Sequence, residues 1–112
     1  MAVKQGVRER RDDGVVLYTW ADIDAGDTGS PAVLSDEGPL DVQITGAIGT
    51  SVATLEGSMD GTNWATITLS PTPLVIATIS RASQRALFIR PALGAGTGAN
   101  IVFMVAVTPG KV

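Results

Sequence analysis

The segment Asp22-Ile23-Asp24-Ala25-Gly26-Asp27 gathers three carboxylates in one short stretch, the side-chain chemistry of a loop that holds a hard cation. The spacing does not follow through. A calcium loop between helices wants Gly at its sixth position and Glu at its twelfth. Counting from Asp22, those positions hold Asp27 and Val33, and no helix pattern flanks them. An irregular cation loop is one reading. The plainer one is an acidic turn whose Asp side chains hydrogen-bond local backbone. Gly94-Ala95-Gly96-Thr97-Gly98-Ala99 has the loose form of a dinucleotide fingerprint. That motif needs a helix directly after it and an acid about 20 residues on. Here a β-branched strand follows, and no Asp or Glu occurs after Asp60, so the segment reads as an inter-strand loop.

Gly57-Ser58-Met59-Asp60-Gly61 sets a hydroxyl near a carboxylate but is not the G-x-S-x-G elbow. The chain has no His and no Cys, so Ser58 lacks its ordinary general base. Carboxylate pairs exist at Asp12 and Asp13 and at Asp36 and Glu37. A glycosidase would need such a pair across a cleft, floored by aromatic platforms. The aromatics are few: Tyr18, Trp20, Trp64, Phe88 and Phe103. Trp20 and Trp64 read more readily as core or turn packing than as ligand platforms. The expectation is a protein that is not an enzyme and holds no cofactor and no metal.

Charge is sorted along the chain. Asp12 to Asp60 carries ten acidic residues and no Lys or Arg. Gly61 to Val112 carries Arg81, Arg85, Arg90 and Lys111 and no acid. A short basic arm with Lys4, Arg8, Arg10 and Arg11 precedes both, offset by Glu9. Net charge is −3, so a nucleic-acid partner is not expected. Charged residues are 17% of the chain, below the usual quarter, which fits a surface that is partly docked. The apolar run Val15–Trp20 is too short for a signal peptide, and Ile101–Val107 is far too short to span a bilayer. A soluble, unprocessed chain is expected.

At 112 residues the chain reads as one domain: a basic arm over 1–14 and a β-domain over 15–112. Met1–Arg11 lacks apolar periodicity and reads as extended or disordered. Eight β-rich runs follow: Val15–Trp20, Ala32–Leu34, Leu40–Thr45, Val52–Gly57, Asn63–Leu69, Leu74–Ile79, Ala86–Arg90 and Asn100–Val107. Turn residues separate them, Asp60-Gly61 being a good hairpin turn. Short strands at this spacing predict an all-β sandwich or barrel. Val42 and Ile44, Ile67 and Leu69, and Leu87 and Ile89 are expected to face inward. Residues 80–86 read as one helical turn, pairing Arg81 with Arg85, or equally as a polar loop. Leu74–Ala77 and Ile101–Val107 are apolar on both faces, which calls for cover on both. Val102 and Met104 are therefore expected to contribute to a subunit interface.

Three segments together resemble a known family. They are Thr19-Trp20-Ala21 running into Gly26–Pro31; Val42–Gly46 running through Leu55-Glu56-Gly57-Ser58-Met59-Asp60-Gly61-Thr62-Asn63-Trp64; and Phe88-Ile89-Arg90-Pro91 before the Gly-rich loop and last strand. The chain resembles small capsid decoration, or cementing, proteins of tailed double-stranded DNA phages. The resemblance implies a jelly-roll-like antiparallel sandwich of about eight strands. It also implies a dimer or trimer that binds the major capsid protein on the outer face of the virion shell, after assembly in the host cytoplasm. No membrane is implied. Partner contact is expected at Arg81, Arg85 and Arg90 and at Val102 and Met104, and also at Lys4, Arg8, Arg10 and Arg11 of the arm, which matches no motif of that family and is assigned from its charge alone. Two other classes stay open: a carbohydrate-binding sandwich using Trp64 and Asp60, and a head-completion or tail subunit.

Overall fold

Period-two alternation builds two layers, because each strand sends alternate side chains to one buried face. The computed structural model describes residues 3–10, 14–34, 40–70, 79–82 and 86–107. The strands are β1 (Val3–Lys4), β2 (Gly6–Arg10), β3 (Val16–Ile23), β4 (Thr28–Gly29), β5 (Ala32–Val33), β6 (Leu40–Ala47), β7 (Ala53–Ser58), β8 (Ala65–Thr66), β9 (Leu69–Ser70), β10 (Ile79–Ala82), β11 (Phe88–Leu93) and β12 (Ala99–Val107). One six-stranded sheet runs β1-β4-β11-β7-β8, with β5 also on β11; the other runs β2-β3-β12-β6-β10-β9. All pairings are antiparallel except β1 with β4.

Taking β4 and β5 as one strand, the main strands in chain order are β3, β4–β5, β6, β7, β8, β10, β11 and β12. The first, eighth, third and sixth then lie side by side in one sheet. The second, seventh, fourth and fifth do so in the other. That is the strand order of a jelly roll, so the protein is an all-β jelly-roll sandwich. Among the described residues there is no helix, hence none that could cross a membrane.

The core lies between the sheets. Val16, Tyr18, Trp20, Ile23, Leu40, Val42, Ile44, Ile101, Phe103, Val105 and Val107 come from one sheet, and Leu55, Ile89 and Leu93 from the other. Each fully buried side chain of this size contributes about 1.5–3 kcal/mol. Trp20 is central. Its indole Nε1 donates to the Ser30 carbonyl at 2.9 Å, and its ring stacks on Tyr18 with centroids 6.2 Å apart.

Several expectations need adjustment. The run Asn63–Leu69 is not one strand: the chain changes sheets, leaving β8 on β7 and β9 on β10, with Ile67 and Leu69 turned inward. Residues 80–82 belong to β10, not to a helical turn, because Ser80 and Arg81 pair with Val42 and Asp41. Leu87 precedes β11 and is exposed, so it does not share the inward face of Ile89. The run Leu74–Ala77, like Arg11, Arg85 and Lys111, lies outside the described residues. The segment read as an arm enters both layers: β1 joins the first sheet and β2 forms the edge of the second.

Candidate functional site

The features that stand out are surfaces. The broadest is the outer face of the β2-β3-β12-β6-β10-β9 sheet. Directly paired residues share a face, and two rows cross it. Val7, Thr19, Met104, Gln43 and Ile79 make one row; Glu9, Leu17, Ala106, Asp41 and Arg81 make the next. Val102 lies beside Thr45 further along. Val102, Met104 and Ala106 are half-buried between neighbouring side chains, whereas Val7 and Ile79 are 66% and 61% exposed. The sequence signals Met104 and Val102 through an unbroken apolar run. It hides Val7, a lone apolar residue in a charged segment, and the position of Ile79 at the end of the run Leu74–Ile79, because their row exists only after pairing.

The second surface is β2. Every residue from Gly6 to Arg10 is exposed, and among the described residues no strand pairs with its outer edge. Its inner end is fixed tightly. A Cβ on Gly6 would fall 2.5 Å from Trp20 Nε1, so only glycine lets the backbone lie on the indole. The Gly6 amide donates to Ser30 Oγ at 3.0 Å. Beneath β2, a cleft of about 360 Å³ opens between the sheets, lined by Arg8, Tyr18, Trp20, Ser30 and Pro31 among others.

Folding undoes the sorted charge. Strand pairing sets Arg81 Nε 2.9 Å from Asp41 Oδ1 and Arg90 Nε 2.7 Å from Glu56 Oε1, and Lys4 Nζ reaches the buried Asp27 at 3.7 Å. Arg90 also lies over the Trp64 ring, 4.2 Å from its centroid, a cation–π contact on a half-buried residue. Arg81 and Arg90 thus each have an acidic partner within the chain. Arg8 and Arg10 are exposed on β2 and also make contacts within the chain.

The Asp22–Asp27 turn spends two of its three carboxylates internally. Asp27 Oδ2 accepts from the Asp24 amide and Asp24 Oδ1 from the Asn100 amide. Among the described residues no three acidic groups converge as a metal site. The Ser58–Asn63 loop is equally self-contained. Asp60 accepts from the Thr62 and Asn63 amides, the Asn63 side chain and the Ser58 hydroxyl. Those donors, the Asn63 amide foremost, hold the Asp60 carboxyl far below its ordinary range. A depressed folded-state pKa contributes stability that is complete above the unfolded value and fades as pH falls from there through the folded one. Asp60 is therefore expected to stay ionised at pH 3, where a free Asp is mostly protonated. Carboxyl carbon shifts followed by NMR from pH 7 to pH 2.5 check this; an inflection near pH 4 would refute it.

Comparison of this chain with protein-family models, with curated proteins and with solved structures found no significant match in any of the three.

Proposed function

We propose that this protein is a capsid decoration protein of a tailed double-stranded DNA phage. It would bind the outer face of the major capsid protein shell as an oligomer and hold neighbouring capsomers together. The observation that carries the reading is β2, a fully exposed edge strand bearing Arg8 and Arg10. An open edge offers main-chain donors and acceptors to a foreign strand. Flanking cations add orientation and encounter rate against an acidic partner more than raw affinity. The sequence resemblance points the same way. Jelly rolls occur in viral shells and in lectins alike, so the fold alone does not choose between them.

The glycan-binding alternative fares less well. It needs an aromatic face open for stacking, and the Trp64 ring carries Arg90. The groove of about 380 Å³ beside Asp60 and Asn63 is lined by Met59 and Ile67, with no aromatic.

The test is binding to particles stripped of the protein, read by co-sedimentation and cryo-electron microscopy. Arg8→Glu with Arg10→Glu is expected to lower shell occupancy at least tenfold at physiological salt. Unchanged occupancy would refute the role of β2. Density confined to the tail or a vertex would favour a head-completion or tail subunit. Glycan-dependent quenching of Trp fluorescence would favour the carbohydrate reading.

A further inference from the structure

We infer that two copies of this chain pack face to face through the outer face of the β2-β3-β12-β6-β10-β9 sheet, about a two-fold axis running along β12. The inference rests on the oligomeric part of the reading above, but its argument comes from the pattern of the face itself.

In the sheet order, β2 lies two strands to one side of β12 and β10 two strands to the other; β3 and β6 are its immediate neighbours. A two-fold parallel to β12 exchanges the sides and keeps each row level. It therefore sets β2 of one copy over β10 of the other, and β3 over β6. Within the first row, Val7 then faces Ile79, joining the two most exposed apolar side chains on this face, and Thr19 faces Gln43. Met104 meets its own counterpart on the axis. Within the second row, Glu9 faces Arg81 and Ala106 meets Ala106. Asp41 falls opposite Leu17, its carboxylate already held by Arg81. An isologous interface requires this kind of self-complementarity. An axis across the strands would instead set each strand against itself in reverse, and would join neither pair.

The distribution of side chains and the area agree. Thr19, Met104, Val102, Ala106 and Gln43 make a centre in which the carboxylate of Asp41 is paired with Arg81, and Glu9 and Arg81 lie toward the two sides beside Val7 and Ile79. With strands about 4.8 Å apart and about 3.3 Å per residue, the five strands from β2 to β10 that the axis sets over one another present roughly 540 Å² of sheet per copy. Two copies together clear the roughly 1,000 Å² that separates a specific interface from a casual one. Stacked sheets lie about 10 Å apart, within reach of Glu9 and Arg81.

Sedimentation equilibrium on the purified full chain tests this without any shell. The wild type is expected at twice its 11.5 kDa. Met104→Glu, which puts two like charges on the axis, is expected to give a monomer. Glu9→Arg and Arg81→Glu are each expected to weaken association about tenfold, and the double variant to recover most of the loss. Circular dichroism and Trp emission confirm that each variant is folded. A monomeric or trimeric wild type, a dimer indifferent to Met104→Glu, or a double variant no better than the singles would overturn the inference. A dimer that fails to bind shells would overturn the decoration reading and leave the interface standing.

Discussion

Trp20→Ala is expected to destabilise the protein by about 3–5 kcal/mol, the usual range for removing a large aromatic from a core. At roughly 4 °C per kcal/mol for a domain of this size, Tm should fall by about 12–20 °C. The indole is 1% exposed, so the whole side chain is lost from the interior. Its removal also orphans the Ser30 carbonyl, leaves Tyr18 without its stacking partner and takes away the surface on which Gly6 lies. Trp20→Phe keeps a ring but loses the hydrogen bond, and should cost about 1–3 kcal/mol. Thermal melts of the two variants against wild type decide it. A loss under about 1 kcal/mol for Trp20→Ala would mean that the two sheets are held together elsewhere.

Gly29→Ala is expected to be a strongly damaging one-carbon addition, costing about 1–3 kcal/mol or more. The new Cβ would sit 2.5 Å from both Cδ and Cγ of Pro91 and 2.6 Å from Trp20 Cδ1. Both obstacles are rings with no flexible end to swing aside, so backbone must move. Gly26→Ala is the useful comparison. Gly26 has φ +87° and open space, with nothing within 4 Å of where a Cβ would stand, so its cost is backbone strain alone, about 1–2 kcal/mol. Urea denaturation of both variants separates the two causes. Equal losses would show that the Gly29 site relaxes more easily than its rings suggest.

The sandwich was legible because most of its strands carry their own period. Leu40, Val42 and Ile44 alternate with Asp41, Gln43 and Thr45, and the structure turns them as that pattern predicts. Ile101 to Val107 carries two apolar faces, and one is buried while the other lies half-covered on the outside. What sequence could not carry were facts about pairing. Acids and bases are sorted along the chain. Antiparallel strands instead bring Asp41 to Arg81 and Glu56 to Arg90, so segregation in sequence becomes neutralisation in space. Met1–Arg11 reads as extended or disordered because a five-residue edge strand with one exposed valine has almost no periodic signal, and its described residues are extended as β1 and β2. Its place is set by Trp20, which accepts the bare backbone of Gly6. The row that joins Val7 to Met104 and Ile79 is likewise a product of register, and no window of sequence contains it.

The N-terminal segment has a mechanical consequence. β1 is attached to one sheet and β2 to the edge of the other, so a pull on this end loads them in turn. β1 has two paired residues, and β2 opens from Gly6 toward Arg10 one pair at a time. Such peeling yields at low force, because each step breaks one ladder contact. β12, bonded on both sides to β3 and β6, must be sheared from two neighbours at once. Residues 3–10 can release at most about 26 Å of extended chain, at about 3.3 Å per residue, before tension reaches the sandwich. Under load the sandwich is thus preceded by a short segment whose pairs open before it yields.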